Sequence, residues 1–236
     1  MKPSMKKSTT AFLKLFCVNT LVLVSGLLQA QPGTLRDEKA FEGYISYAVS
    51  YSGPAAEDFK LMEPPKKMDM ILKGGDFIVQ MYGGAFSKSL LYINDSNRTY
   101  VVDVPKMTAY RQEKYRVRRK QPLKAVPTND SLKIAGHMCY GFVATRPATP
   151  KTPAAKIKLY VTGKVRVNLD LFKGKDRSHA YFLIDGLQGC IPLKIVVEEP
   201  HLITENLAVK LTRGTYELEQ FRLPPGMKIK KWDSRR

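Results

Sequence analysis

Side chains suited to chemistry are few in this sequence, and the tightest group of them is His137-Met138-Cys139. On a strand, side chains two positions apart point to the same face, so His137 and Cys139 would be able to share a metal ion. A metal site there needs two further ligands and a free thiolate, whereas a disulfide uses Cys139 completely. The disulfide is the preferred interpretation, and we expect no metal site.

Known catalytic signatures are absent as well. The sequence contains no Gly-x-Ser-x-Gly elbow, no His-Glu-x-x-His pair and no phosphate-binding glycine loop. Its three histidines, His137, His179 and His201, have no recognisable catalytic neighbourhood. We therefore predict no catalytic residue and no cofactor, and an enzyme is the least favoured class of function.

The N-terminus has the charge and hydrophobicity pattern of a secretory signal peptide. Three lysines and no acidic residue occupy the first ten positions, and a mostly apolar stretch follows over residues 11–28. Its uninterrupted part, Leu21 to Leu28, is far shorter than the roughly 20 residues that cross a bilayer, so a permanent transmembrane helix is less favoured. With cleavage near Ala30, residues 1–30 are the signal peptide and residues 31–236 a single β-rich extracytoplasmic domain.

Two cysteines, Cys139 and Cys190, remain after cleavage. An exported pair in an oxidising compartment is more often bridged than free. We predict a disulfide between them, closing a loop of about 50 residues.

The chain is strongly basic, and one segment concentrates the charge. Removing the four lysines of residues 1–30 lowers the formal net charge from +18 to +14. This excess indicates attraction to an anionic membrane surface or an acidic envelope protein or glycan, and the signal peptide argues against nucleic acid. Solubility alone is the alternative. The predicted anionic-surface residues are Arg111, Lys114, Arg116, Arg118, Arg119 and Lys120. A solvated basic loop is the alternative for this run.

Methionines and aromatic residues alternate along several predicted strands. Thioethers and flat rings adapt to varied apolar ligands, so these residues are a possible apolar ligand face. The alternative is that they fill an ordinary core, since every large sheet buries one face. The residues of this predicted face are Met68, Met70, Phe77, Met81 and Tyr92.

Strand patterns account for most of the remaining chain. Period-two alternation predicts a long strand over Phe41–Ser52, and paired glycines at 74 and 75 predict a tight hairpin between residues 67 and 82. Residues 164–172 fit a strand or a short helix equally well. Further strands are predicted at 89–93, 98–104, 134–145, 156–161, 180–184, 191–198, 208–213 and 218–223. We expect a mainly β protein with one curved antiparallel sheet and one or two short helices.

Several short motifs occur in a characteristic order along the domain. They are Phe41-Glu42-Gly43, Met68-Asp69-Met70, Leu72-Lys73-Gly74, Ile134-Ala135-Gly136, Cys139-Tyr140, Gly186 and Gly189 before Ile191-Pro192-Leu193, and Phe221-Arg222-Leu223-Pro224 with Gly226. In their order and spacing, the chain resembles an uncharacterised family of exported proteins of Gram-negative bacteria, similar to the periplasmic lipoprotein carriers (LolA/LolB-like). The resemblance implies an open half-barrel with helices across its mouth, a periplasmic or outer-membrane location and an apolar concavity. It assigns no catalytic residues.

The function favoured by these observations is a non-enzymatic envelope module that binds or carries a lipid-like or hydrophobic ligand. The alternative is an envelope protein that recognises an acidic protein, glycan or membrane surface through its basic loop. An unfilled apolar concavity favours the carrier, and a filled one favours the interaction protein.

Overall fold

Twelve strands and a few short helices make up the part of the chain that the computed structural model describes, residues 39–83, 88–112, 123–150, 152–172 and 180–232. All of these residues belong to one compact unit, Lys39–Arg236. The predicted signal peptide, residues 1–30, lies outside the described residues.

The strand bounds follow the chain in order. The strands are β1 Gly43–Ser52, β2 Lys67–Lys73, β3 Asp76–Tyr82, β4 Ser89–Ile93, β5 Arg98–Asp103, β6 Thr108–Gln112, β7 Val126–Ile134, β8 His137–Arg146, β9 Ala155–Arg166, β10 Cys190–Glu198, β11 Ile203–Arg213 and β12 Lys228–Lys231. The helices are α1 Ala56–Leu61 and three 3₁₀ helices, η1 Leu169–Phe172, η2 Tyr181–Leu183 and η3 Leu218–Phe221.

All twelve strands join one open, curved sheet in the order β12-β6-β5-β4-β3-β2-β1-β11-β10-β9-β8-β7. Every pairing is antiparallel except that of β12 with β6, which is parallel. Strands account for 58% of the structure, and the sheet is not closed into a barrel. The predicted fold class, a mainly β protein with one curved sheet and few helices, is confirmed.

Local turn chemistry accounts for the hairpins. Gly74 and Gly75, between β2 and β3, have φ angles of +54° and +93°. Such angles are easily reached by glycine and suit a two-residue turn that matches the twist of the strands. The β2–β3 hairpin therefore lies where the paired glycines predicted it, with Lys73 opposite Asp76.

Three predicted elements differ in the structure. The predicted strand 134–145 is divided by a turn at Ala135-Gly136, so Ile134 ends β7 and His137 begins β8. Segments 180–184 and 218–223 contain the 3₁₀ helices η2 and η3 instead of strands. In η2, the adjacent residues Phe182 and Leu183 are both buried, which a strand exposed on one face does not allow.

The undecided segment 164–172 contains both alternatives. Its first residues complete β9, which ends at Arg166, and η1 follows at Leu169–Phe172. Strands β6, β7 and β12 were not predicted, apart from Ile134 at the end of β7. Strands β6 and β12 are short, and β7 is exposed along almost its whole length, so none of the three shows the long alternation that identifies β1.

The two faces of strands β2–β6 carry different apolar clusters. The front face is defined here by the side chains of Leu72, Phe77 and Tyr92, and the back face by those of Ile78 and Leu91. On the back face, η3 places Phe221 among the buried side chains of the cluster. On the front face, η1 and η2 contribute further apolar side chains. Both faces of this half of the sheet are therefore apolar, whereas an antiparallel sheet commonly has one solvated face.

Candidate apolar binding site

The five residues of the predicted ligand face come together on the front face. Met68 lies directly opposite Met81, and Phe77 directly opposite Tyr92. Met70 is the next front-face position after Met68 along β2. The alternation of the hairpin strands thus placed all five side chains on one side of the sheet.

The part of the front face around Phe77 and Tyr92 is filled by aromatic rings. Phe77 and Tyr92 stack with their centroids 4.9 Å apart, and each is 2% exposed. Phe182 packs edge-on against Phe77 at 5.7 Å, and Phe172 stacks on Tyr92 at 6.1 Å. Phe77 and Tyr92 are therefore buried in the core, where η1 and η2 cover them.

A second line of side chains on the front face is less well covered. It consists of direct cross-strand partners on five adjacent strands, and all five side chains are half-buried. We call this line the apolar row: Met70, Val79, Leu90, Val101 and Tyr110. Four strand spacings of about 4.8 Å give the row a length of roughly 19 Å.

The two ends of the apolar row differ. On β1, the cross-strand partner of Met70 is Ile45, which is 0% exposed and belongs to the core. At the opposite end, the Tyr110 ring meets the Trp232 ring edge-on with centroids 5.8 Å apart, and Trp232 is 37% exposed. The row therefore runs from the core towards the β12 edge of the sheet.

Of the apolar row, only Met70 belonged to the ligand face predicted from the sequence. Val79 and Leu90 were missed because valine and leucine are ordinary strand residues, although their parity in the predicted hairpins would have extended the line from Met70. Val101 follows from the β4–β5 hairpin by the same argument. Tyr110 was missed because no strand was predicted over β6.

A polar cluster lies on the back face beside the apolar core. The Ser46 hydroxyl donates a 2.7 Å hydrogen bond to Asp69 Oδ1, and Lys67 Nζ lies 2.9 Å from Asp69 Oδ2. Burial raises the pKa of Asp69, but the interactions with Lys67, Ser46 and Tyr44 outweigh it and hold the pKa below its ordinary value. Asp69 is therefore a paired, ionised carboxylate at neutral pH and lies off the apolar row.

The predicted disulfide between Cys139 and Cys190 is not found, and both residues are free, buried thiols. Cys139 lies on β8 and Cys190 on β10, and β9 pairs with both strands and separates them. Two strand spacings of about 4.8 Å exceed the roughly 4.4–6.8 Å between the Cα atoms of a disulfide. Burial raises the pKa of the Cys139 thiol to about 11 and raises that of Cys190 as well.

The predicted anionic-surface run falls almost entirely outside the described residues. Of its members, only Arg111 is described: it lies near the end of β6, opposite Tyr100. Lys114, Arg116, Arg118, Arg119 and Lys120 lie outside the described part of the chain.

Within the described ranges, no group of three or more histidine, cysteine, aspartate or glutamate side chains is arranged to hold a metal ion. The same ranges contain no helix with the length and hydrophobicity needed to span a membrane.

No family model matches the sequence, and no curated protein matches it. Solved structures with partial structural similarity were found at low sequence identity. An uncharacterized conserved protein from Thermus thermophilus has a TM-score of 0.45 and 8% identity, covering 81% of this chain and 91% of its own. The Mycobacterium tuberculosis lipoprotein LppX has a TM-score of 0.35 and 12% identity, covering 84% and 98%. A LolA superfamily protein from Nitrosomonas europaea has a TM-score of 0.35 and 11% identity, covering 80% and 92%.

Proposed function

We propose that this protein is a non-enzymatic binding or carrier module of the cell envelope, whose front face holds a lipid-like or other hydrophobic ligand. The observation that carries the proposal is the apolar row. Five in-register apolar side chains stay half-buried there, while η3 covers the back face of the same strands.

Covering the apolar row costs little and contributes binding energy. No member of the row carries a charge, so an apolar ligand desolvates few polar groups on binding. Each square ångström of apolar surface that the ligand removes from water contributes about 25 cal/mol before the costs of association. Met70 also has a flexible side chain that adapts to ligands of different outline.

The envelope location is part of the proposal and is supported by the sequence. The lysine-rich start and the apolar stretch of residues 11–28 indicate export, so the mature chain is expected to begin near Gln31. N-terminal sequencing of the protein from an extracytoplasmic fraction tests this. An intact Met1 on protein from the cytoplasm would contradict it.

The ligand site is tested with Nile red, a neutral apolar dye that fluoresces on leaving water. We expect saturable binding to the wild-type protein and weaker binding to the double variant Val79→Gln/Leu90→Gln, which places two amides in the row. The matched control is Val209→Gln, because Val209 is a strand valine that is 59% exposed and lies on β11 outside the row.

Thermal unfolding of both variants separates a lost site from a lost fold. If the double variant unfolds cooperatively like the control and still binds Nile red as the wild type does, the front face is not the site. Mass spectrometry of small molecules that co-purify with the exported protein then identifies the natural ligand class.

A further inference from the structure

The edge strand β12 gives the apolar row a cationic end. Lys230 is the direct partner of Tyr110 in the parallel β12–β6 pair, and Lys228 is the partner of Thr108. Side-by-side partners on neighbouring strands point to the same face. The ring contact between Trp232 and Tyr110 agrees with this, because Trp232 shares the parity of both lysines. Lys228 and Lys230 therefore lie on the front face, next to the last residue of the row.

Among the described residues, no acidic side chain pairs with these two lysines. Asp103, the cross-strand partner of Thr108, is an acidic residue at this end of the front face, and it already pairs with Lys106 at 3.1 Å. Neither Lys228 nor Lys230 forms an ion pair with another described residue, and both are exposed. An anion at the end of the row would thus meet two available ammonium groups.

The row therefore has polarity: a core end at Met70 and Ile45, and a cationic end beside Tyr110. We propose that the ligand is a single-chain amphiphile with one anionic head group, bound with its head at Lys228 and Lys230 and its alkyl chain along the apolar row. This inference rests on the proposed function. It adds the charge and the orientation of the ligand to that site.

Lysines on an edge strand also have a purely structural role, since they discourage pairing with the edge of another sheet. That role makes no distinction between ligand head groups or between the two faces of β12. Lys231 allows the two roles to be separated, because it lies on the same strand as Lys230 but at the alternate position, facing the back.

The experiment measures displacement of Nile red by palmitate, palmityl alcohol and palmitylamine, which share one chain and differ in head-group charge. With the wild-type protein, we expect palmitate to bind most tightly, the alcohol less tightly and the amine least tightly. Lys230→Gln should weaken palmitate roughly two- to fivefold, as expected for one exposed ion pair, and should leave the alcohol unchanged. Lys231→Gln, which removes the same charge, should leave the preference for palmitate intact.

Salt provides an independent readout. Raising the salt concentration from about 0.1 M to about 1 M shortens the Debye length from about 10 Å to about 3 Å, so the preference for palmitate should decrease while binding of the alcohol does not. Equal displacement by all three compounds, or equal weakening of palmitate by Lys230→Gln and Lys231→Gln, would overturn the head-group inference and leave the apolar site standing. If none of the three displaces Nile red, the proposed function fails as well.

Discussion

The Tyr47 hydroxyl donates a hydrogen bond to the carbonyl oxygen of Pro192, 145 residues away, at a distance of 2.9 Å. Tyr47 lies on β1 and Pro192 on β10, and β11 separates these strands. The hydroxyl is buried with the rest of the side chain, and burial holds the pKa of Tyr47 far above its ordinary value of 10.0. This bond links the β1 and β10 parts of the sheet through its core.

Removing that hydroxyl should lower the free energy of unfolding, and it should also make that free energy depend less steeply on pH in the alkaline range. Tyr47→Phe leaves a buried carbonyl oxygen without its donor, which costs about 1–3 kcal/mol. In the wild-type protein, Tyr47 ionises more easily when unfolded, so its contribution is complete below about pH 10 and is lost as pH rises further. The expected additional slope is about 1.4 kcal/mol per pH unit.

Urea unfolding of wild type and Tyr47→Phe between about pH 8 and pH 11 measures both effects. Tyr51 and Tyr181 also have raised pKa values because of burial, so the variant should retain part of the slope. Identical slopes in the two proteins would show that Tyr47 ionises equally easily in the folded and unfolded states.

The two thiols should be unreactive in the folded protein and fully reactive after unfolding. Cys139 and Cys190 are buried and their pKa values are raised, which keeps the reactive thiolate scarce at neutral pH. We expect a mature chain, unfolded without reductant, to react with two equivalents of a maleimide. Reductant should leave the melting temperature unchanged. If the unfolded chain has no reactive thiol, the two cysteines form a disulfide after all.

Phe182 should be among the core positions where truncation of the side chain lowers stability most. Its ring is 1% exposed and packs edge-on against both Phe77 and Phe172. Phe182→Ala should cost about 3–5 kcal/mol in the free energy of unfolding and leave an apolar cavity. Benzene should recover part of that loss by filling the cavity.

Phe59→Ala is the matched control for Phe182. Phe59 is half-buried and makes a ring contact with Tyr51, with centroids 5.0 Å apart. We expect a smaller loss of stability on urea unfolding and no recovery with benzene. Equal losses in the two variants would mean that the aromatic cluster is no more tightly packed than the surface of the domain.

Asp69 should stabilise the fold at neutral pH and lose that effect in acid. Its pKa is held below the ordinary value, so its contribution is complete above about pH 4, the ordinary value, and is lost as pH falls through the folded value. Asp69→Asn should cost on the order of 1 kcal/mol at pH 7, since Lys67 is partly solvated. Urea unfolding should show a smaller difference in stability between wild type and Asp69→Asn at about pH 3 than at about pH 7.

Local features of the chain were predictable because their causes are local. The glycines at 74 and 75 determine a turn by their own φ angles, and the alternation of β1 follows from burial of one face. Alternation along β2 likewise placed Met70 on an apolar face. It did not indicate that Phe77 is covered, because the covering ring, Phe182, comes from a segment more than a hundred residues later.

The failed disulfide prediction and the missed strand β12 concern relations between distant segments. The Cys139–Cys190 bridge required β8 and β10 to be neighbours, yet the predicted strand 156–161 already stood between them in the chain. Consecutive antiparallel strands usually pair, so this strand was a usable argument against the bridge. Strand β12 could not be predicted for a different reason. Its sequence, Lys-Ile-Lys-Lys, is held as a strand by pairing with β6, and no local pattern reveals that pairing.

The pairing of Lys228 with Thr108 joins residues 120 positions apart, almost at the end of the chain. Contacts of such separation require closure of a long loop and form slowly. Synthesis proceeds from the N-terminus, and so would the proposed export, so β2–β6 emerge well before the strand that completes their edge. The proposed cationic end of the row is therefore completed only when Trp232 has followed, and the proposed selection of an anionic head group is one of the last properties that the folding chain acquires.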